Sequence, residues 1–244
     1  MKRILISPPF SLYIPNTPIS TSIRGTFTIR PRLPIYPQVF KTCRPVKGGW
    51  VNSMGFRNRG IESEISRLRE DNKRIVDKYI WSIGVVESKD EWEELYLFLE
   101  PYRNIDLELN LGCKNVKSIG IHPDILEKFL NTFRTIIIKL PCNISEAKKI
   151  VNIAYTTGVR YFHSANTFKT DIGSESSRRI QYESLPICKY IKDIYPDCTI
   201  IGGGGIYSSE DISRYKKAGA THFSLATGLL KPWNLIGIYN AIKT

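Results

Sequence analysis

Asp106-Leu-Glu-Leu-Asn110-Leu-Gly-Cys113-Lys-Asn115 is the stretch around which the rest of the chain is organised. Leu107 and Leu109 alternate with acidic residues, which predicts a strand, and the polar residues after it predict a turn. Cys113 becomes a nucleophile or a base near neutral pH if its surroundings favour the thiolate. Amides beside such a thiol at the C-terminal end of a strand are typical of a barrel enzyme. A buried cysteine between turn-forming asparagines is an equal alternative.

Outward from this stretch, short apolar strands recur about every 25–30 residues with helices between them. This rhythm predicts an α/β fold, namely a (β/α)8 TIM barrel with seven helices, in which a Pro-rich loop replaces the first helix. Pro8, Pro9, Pro15 and Pro18 make a helix over residues 8–19 unfavourable. A doubly wound open sheet is the alternative that the spacing leaves open. We expect residues 1–244 to form a single barrel domain, with residues 29–49 as a long surface excursion and 169–180 as a polar loop.

Composition limits the function classes. The 244 residues carry a net charge of +12, but the basic residues are spread along helical faces and no nucleic-acid motif accompanies them. A nucleic-acid partner is therefore not expected, although the charge alone keeps it as a weaker alternative. Five scattered cysteines without a CxxC pair favour free thiols in a reducing, cytoplasmic compartment and no metal site. No apolar run is long enough for a membrane span, and Pro8 and Pro9 interrupt the first apolar run too early for a signal peptide.

Two strand ends predict a phosphate site. Gly202–Gly205 follows a strand and precedes a helix whose start carries Ser208 and Asp211 as a capping box. Such a glycine run leaves backbone N–H groups free to point at one anion, and the helix N-terminus adds its dipole. Thr227 and Gly228 end the next strand and supply a hydroxyl and another N–H group. In barrels, the loops after strands seven and eight are the usual phosphate site, whereas a flexible glycine turn is the alternative.

Three other strand ends carry polar groups. Lys139 follows Ile136, Ile137 and Ile138, and we expect it to point into the barrel mouth, because a buried lysine is costly unless it meets an anion or a polar ligand. A lysine that reaches solvent is the alternative. Asn166 and Thr167 add polar groups to the same mouth. We expect His163 to be packed or hydrogen-bonded rather than catalytic.

Together, these motifs resemble the dihydroorotate dehydrogenase family of FMN-dependent (β/α)8 barrels. The segments that carry the resemblance occur in order: Asn52-Ser-Met-Gly-Phe-Arg-Asn58, Asn110-Leu-Gly-Cys-Lys-Asn115, Ile138-Lys139-Leu-Pro, Asn166-Thr167, Ile201-Gly-Gly-Gly-Gly-Ile206 and Ala226-Thr-Gly-Leu. They cover the chain from about residue 20 to its end, and the Asn-rich motif is the most specific of them. The cysteine at position 113 resembles the soluble branch of the family, whereas the membrane-associated branch carries serine there.

The resemblance implies oxidation of (S)-dihydroorotate to orotate in pyrimidine biosynthesis, with FMN across the barrel mouth. It implies that Cys113 is the general base and that Lys139 stabilises the reduced flavin ring. The implied substrate contacts are Asn52, Met54, Gly55, Phe56, Asn110, Asn115, Asn166 and Thr167. The implied cofactor contacts are Lys139, Asn110, Gly204, Gly205, Thr227 and Gly228. The soluble branch further suggests a homodimer, and the electron acceptor stays open.

The chain also departs from the family pattern. A lysine that the family places after strand two falls near Gly25, with Arg24 one residue away as a potential substitute. The Gly-Leu-Ser-Gly segment before helix six reads Ser174-Glu-Ser-Ser177, and the proline after Cys113 is Lys114. A diverged barrel that binds flavin or phosphate without dihydroorotate turnover is therefore the alternative function.

Overall fold

The computed structural model describes residues 1–71, 76–113, 120–164 and 166–244, with the backbone alone at 69–71. Its strands are β1 (Ile4–Ile6), β2 (Ser20–Phe27), β3 (Arg44–Val46), β4 (Gly49–Asn52), β5 (Ile80–Ile83), β6 (Asp106–Asn110), β7 (Thr135–Lys139), β8 (Tyr161–His163), β9 (Phe168–Thr170), β10 (Gly173–Ser177), β11 (Thr199–Gly203) and β12 (His222–Leu225). Its helices are α1 (Tyr36–Thr42), α2 (Ile61–Asp71), α3 (Asp90–Leu99), α4 (Pro123–Thr132), α5 (Ile144–Thr157), α6 (Gln181–Ile194), α7 (Ser209–Lys217) and α8 (Leu235–Lys243).

Eight of these strands close into a parallel barrel in the order β1-β12-β11-β8-β7-β6-β5-β2. The closure confirms the TIM barrel and excludes the open sheet. In the described residues, the connection from β1 to β2 contains one short 3-10 turn at Phe10–Leu12 and no α-helix. The missing first helix is therefore confirmed, as the prolines of this loop predict.

The helices begin and end largely where local sequence predicts. The Asn143 side chain accepts a hydrogen bond from the Glu146 N–H at the start of α5. Gly158 ends the same helix at φ 117°, which favours glycine. Ser208 and Asp211 form the capping box of α7. Side chains on the outer face of the barrel, such as Trp81, pack against this helical ring.

The interior of the barrel has two layers of opposite character. Near the N-terminal ends of the strands, Leu5, Ile23, Ile80, Ile137 and Ile201 form a separate apolar cluster. Because side chains two residues apart on a strand share a face, the next inward positions lie one layer closer to the C-terminal ends. The residues at these positions are Ser7, Gly25, Ser82, Lys139 and Gly203, so this layer lacks large apolar side chains. The apolar layer therefore forms the floor of the barrel, and the polar layer lies below its mouth.

A second sheet, in the order β3-β4-β10-β9, joins two excursions of the chain. One excursion follows β2 and the other follows β8, so both leave the C-terminal end of the barrel, where active sites of this fold lie. The predicted polar loop over 169–180 is wrong, because these residues form most of a hairpin that pairs with β4, with Ser174 opposite Asn52. The predicted excursion over 29–49 likewise contains α1 and β3.

Candidate active site

Glu108, Lys139 and His163 form a buried charged cluster in the polar layer of the barrel. The Nζ atom of Lys139 lies 3.4 Å from Oε1 of Glu108, and Nδ1 of His163 lies 2.6 Å from Oε2 of Glu108. Lys139 and His163 are direct register partners on β7 and β8. A Cβ atom on Gly203 would lie 2.8 Å from Nε2 of His163, so the absence of a side chain there gives the imidazole its room.

The electrostatics of this cluster follow from burial and proximity. Burial alone would raise the pKa of Glu108, but Lys139, His163 and Ser82 together lower it to about 2. Burial and the charge of Lys139 lower the pKa of His163, although Glu108 opposes this. At neutral pH the carboxylate is therefore ionised and the imidazole neutral. Because a carboxylate only accepts hydrogen bonds, Nδ1 of His163 carries the proton and donates it to Glu108.

A chain of amides and hydroxyls extends from this cluster toward the mouth. Asn110 donates to the Thr26 hydroxyl at 2.8 Å, and this hydroxyl lies 3.0 Å from that of Ser82. Asn166 donates to Oδ1 of Asn110 at 2.7 Å, and the Thr167 N–H donates to Oδ1 of Asn166 at 3.0 Å. The structure thus brings three predicted site residues, Asn110, Asn166 and Thr167, into one network.

The predicted substrate loop lies partly over the same mouth. A Cβ atom on Gly84, just after β5, would lie 2.8 Å from the ring of Phe56, so this ring covers the end of that strand. Phe56 has φ 59°, an uncommon conformation for a residue with a side chain. The Asn52 side chain accepts from the Met54 N–H at 3.2 Å, and the Gly55 carbonyl accepts from Arg32 at 3.1 Å. The loop is therefore held by its own hydrogen bonds beside the amide network.

Cys113 is partly exposed and lies three residues beyond the end of β6, on the mouth side of the barrel. Asn115, the other polar residue predicted in this turn, lies outside the described residues. Two of the other thiols are mostly protonated near neutral pH, because burial raises the pKa of Cys188 to about 12 and that of Cys198 to about 11. Of these three thiols, Cys113 is the one at the mouth.

The predicted glycine cradle is formed by two loops in contact. Gly204 and Gly205 have φ 87° and 66°, a conformation that favours glycine. A Cβ atom on Gly228 would lie 2.1 Å from the Ile206 carbonyl oxygen, so the loops after β11 and β12 touch at this point. The Thr227 hydroxyl lies 2.8 Å from that of Tyr207. The four residues predicted to contact a phosphate therefore lie in two touching loops beside α7, with Gly205 and Gly228 buried and Gly204 and Thr227 partly exposed.

No helix in the described ranges is long and apolar enough to cross a membrane. Within residues 1–71, 76–113, 120–164 and 166–244, no group of three or more His, Cys, Asp or Glu side chains is placed to hold a metal ion.

Comparison with known proteins identifies the family. The sequence profile described as dihydroorotate dehydrogenase matches residues 19–242. The chain belongs to the dihydroorotate dehydrogenase family. The family resemblance expected from the sequence motifs is therefore confirmed.

Several curated proteins resemble the chain in sequence, and one solved structure shares its fold. The catalytic subunit of dihydroorotate dehydrogenase B (NAD(+)) from Methanocaldococcus jannaschii is 28% identical over 77% of this chain and 69% of its own length. The corresponding subunit from Endomicrobium trichonymphae is 27% identical over 94% and 81%. Dihydroorotate dehydrogenase A (fumarate) from Lactobacillus delbrueckii is 24% identical over 72% and 65%. The crystal structure of DHODH from Eimeria tenella in complex with ferulenol superposes with a TM-score of 0.73 at 15% identity, over 98% of this chain and 80% of the other.

Arg24 does not take the place of the lysine that the family carries after strand two. The Arg24 side chain is buried, lies 2.6 Å from Oε1 of Glu64 on α2 and stacks over Tyr79. It therefore points outward between the barrel and its helices. Gly25 itself has φ 117°, and a Cβ atom there would lie 2.3 Å from the Ser82 carbonyl oxygen. The backbone at position 25 therefore leaves no room for the lysine side chain of the dihydroorotate dehydrogenase family pattern.

Sequence reasoning missed Glu108, Ser82 and Thr26 as parts of the site. Glu108 was visible as an acidic residue two positions before Asn110, on the inward face of a strand that should be apolar there. The register of β6 and β7 places Lys139 beside Asn110, one step from Glu108. An inward carboxylate next to an inward lysine was therefore the available signal. His163, expected to be packed or hydrogen-bonded, is confirmed as both.

Proposed function

We propose that this protein is an FMN-dependent oxidoreductase that oxidises (S)-dihydroorotate to orotate in pyrimidine biosynthesis. The observation that carries the proposal is the convergence of Asn110, Lys139 and Asn166 at the ends of β6, β7 and β8, three neighbouring strands of the barrel. Membership of the dihydroorotate dehydrogenase family supports it. We further propose a cytoplasmic homodimer without a membrane or nucleic-acid partner, as the soluble branch of the family suggests.

The donor set fits FMN at both of its ends. Gly204, at φ 87° and partly exposed, leaves its backbone open to a phosphate, and the Thr227 hydroxyl and the start of α7 add donors for an anion, whereas Gly205 and Gly228 are buried where the neighbouring loops pack together. At the other end, the Lys139 side chain and the Asn110 amide provide a positive charge and neutral hydrogen-bonding groups for the edge of a pyrimidine ring. FMN, when bound, supplies the hydride acceptor for the reaction.

The remaining chemistry belongs to this chain's own side chains. Asn52, Asn110, Asn115, Asn166 and Thr167, with the backbone of Met54–Phe56, hold the dihydropyrimidine ring by uncharged hydrogen bonds. Cys113 removes a carbon-bound proton of that ring, while the second hydrogen leaves as hydride. Lys139 stabilises the negative charge that develops beside it, and Glu108 fixes the direction of its side chain. Oxidation thus yields orotate, with the proton on the thiol.

The absorbance spectrum of the purified protein tests this proposal. We expect a visible flavin band, native or after reconstitution with FMN, that bleaches when (S)-dihydroorotate is added without oxygen. Reoxidation by fumarate or by NAD(+), the acceptors in the names of the relatives, then identifies the electron acceptor. Colourless protein that cannot be reconstituted would contradict the proposal.

A diverged flavin- or phosphate-binding barrel without dihydroorotate turnover is the second candidate. Gly25 favours it, because a family lysine is replaced there by a position that accommodates no side chain. A protein that binds FMN but is not bleached by (S)-dihydroorotate, while dithionite bleaches it, would support this alternative.

A further inference from the structure

A cluster of basic side chains surrounds a cavity beside the glycine cradle. The cavity has a volume of about 150 Å³ and is lined by Lys47, Gly48, Ser177, Arg178, Arg179, Tyr207 and Lys231. These residues come from the turn between β3 and β4, the end of β10, and the loops after β11 and β12. Three of these segments therefore bring four positive charges to one place, and none of the predicted cofactor contacts is among the lining residues.

The cavity adjoins the cradle directly. A Cβ atom on Gly205 would lie 2.7 Å from both the Ser177 carbonyl oxygen and Cα of Arg178, so the cradle touches the backbone of the cavity wall. The Tyr207 hydroxyl lies 2.8 Å from that of Thr227 and donates to the Ser176 carbonyl oxygen at 3.2 Å. Tyr207 therefore forms the partition between the cavity and the predicted phosphate contacts.

The charge of the cavity is only partly balanced. Asp211, which is buried, lies 3.1 Å from Arg178, and Glu175 lies 3.3 Å from Arg179, so two carboxylates orient the two arginines. Lys231 lies over the Tyr207 ring at 5.2 Å. In the part of the chain that the structure describes, neither Lys47 nor Lys231 pairs with a carboxylate. Two positive charges thus remain, which matches the charge of about −1.5 to −2 that a phosphate monoester carries near pH 7.

We propose that this cavity binds a phosphate group through side-chain charge, next to the backbone cradle. Both lysines are exposed and line the same cavity as the two arginines, whose side chains are oriented by acidic partners. The phosphate has two sources: the phosphate of a flavin mononucleotide that extends beyond the cradle, or a second phosphate of a diphosphate ligand. The binding does not require dihydroorotate turnover.

Isothermal titration of the full chain with FMN, riboflavin and inorganic pyrophosphate tests this proposal. We expect a Lys47→Met/Lys231→Met variant to bind FMN and pyrophosphate about tenfold more weakly, because charge-assisted contacts to phosphate are lost. Riboflavin binding should be unchanged, because riboflavin has no phosphate. The matched control is Lys243→Met, since Lys243 also lies over a tyrosine ring, that of Tyr239 at 4.6 Å, but does not line the cavity.

The outcomes separate the two sources and the two proposals. Pyrophosphate that displaces FMN identifies the flavin phosphate as the occupant, whereas simultaneous binding identifies a second phosphate. If the protein binds no flavin but binds pyrophosphate in a way that depends on Lys47 and Lys231, the result would contradict the proposal of FMN binding. It would support the proposed phosphate site. Wild-type protein that binds neither FMN nor pyrophosphate at low ionic strength, or a double variant that matches Lys243→Met with both probes, would overturn it.

Discussion

Nδ1 of His163 and Oε2 of Glu108 lie 2.6 Å apart inside the barrel, across the intervening strand β7. Lys139 on that strand contacts the same carboxylate from the other side. One carboxylate therefore joins three neighbouring strands below the mouth. Since a buried ion is stable only when it is paired and hydrogen-bonded, this cluster fixes the direction of Lys139 beneath the site.

Replacing Glu108 by glutamine should destabilise the protein strongly. Glu108→Gln removes the buried negative charge and leaves Lys139 without its partner, which typically costs about 3–5 kcal/mol. Urea denaturation measures the loss. The control is Glu93→Gln, because Glu93 forms an exposed pair with Lys128 at 2.8 Å, and exposed pairs contribute about 0–1 kcal/mol. Equal losses in the two variants would contradict the view that burial makes this cluster important.

The stability of the folded protein should also fall at low pH because of His222. Burial, with the N-terminal charge and Arg3, lowers the pKa of His222 from 6.5 to about 4. Between these values the unfolded chain binds a proton that the folded chain does not. The contribution of His222 is therefore complete above about pH 6.5 and is lost as the pH falls toward 4, by about 1–2 kcal/mol after allowance for its partial exposure.

Denaturation curves at pH 7 and pH 4.5 check this prediction. His222→Gln should lose less stability between the two pH values than the wild type. The comparison variant is His122→Gln, because the His122 side chain is 62% exposed and the variant controls for the histidine-to-glutamine change itself. The same loss in all three proteins would show that His222 does not contribute. Glu108 adds a separate loss below about pH 4.5, because its pKa is lowered to about 2.

The barrel and much of its mouth could be predicted from local sequence. The periodic recurrence of strands predicts the closed sheet. Asn143 and Gly158 predict the ends of α5, because each residue bonds only to backbone groups within one helical turn. Asn110, Lys139 and Asn166 were found because each ends or directly follows a predicted strand. Positions at strand ends converge in a barrel whatever the connecting loops do.

Long-range pairing could not be predicted in the same way. The β10 segment, Gly-Ser-Glu-Ser-Ser, has the composition of a loop, and it becomes a strand because β4, more than a hundred residues earlier, lies beside it. Arg24 could not be excluded from the mouth by sequence, since one residue of register decides whether it points inward or toward Glu64. Glu108 required the alignment of β6 with β7.

Restoring the family lysine at position 25 should harm the protein. Gly25→Lys places a Cβ atom 2.3 Å from the Ser82 carbonyl oxygen at φ 117°, so we expect a loss of at least about 2 kcal/mol and no gain in flavin binding. Thermal denaturation measures the change. The contrasting variant is Gly237→Ala in α8, where no atom lies within 4 Å of an added Cβ and alanine should stabilise the helix slightly. A folded Gly25→Lys protein of wild-type stability would show that this backbone adapts.

Replacing Cys113 by serine should remove most of the proposed turnover at neutral pH. A serine hydroxyl is a far weaker base than a thiolate, and general-base catalysis contributes about 10²–10⁴-fold to rates. The rate of flavin bleaching by (S)-dihydroorotate measures the loss, and recovery of the rate at high pH would indicate a missing base. Cys198→Ser is the matched control, because Cys198 precedes β11 at the opposite end of the barrel and burial raises its pKa to about 11. Cys198→Ser should keep the wild-type rate, because its thiol lies far from any ring held by Asn110 and Asn166. If Cys113→Ser also keeps that rate, another group removes the proton.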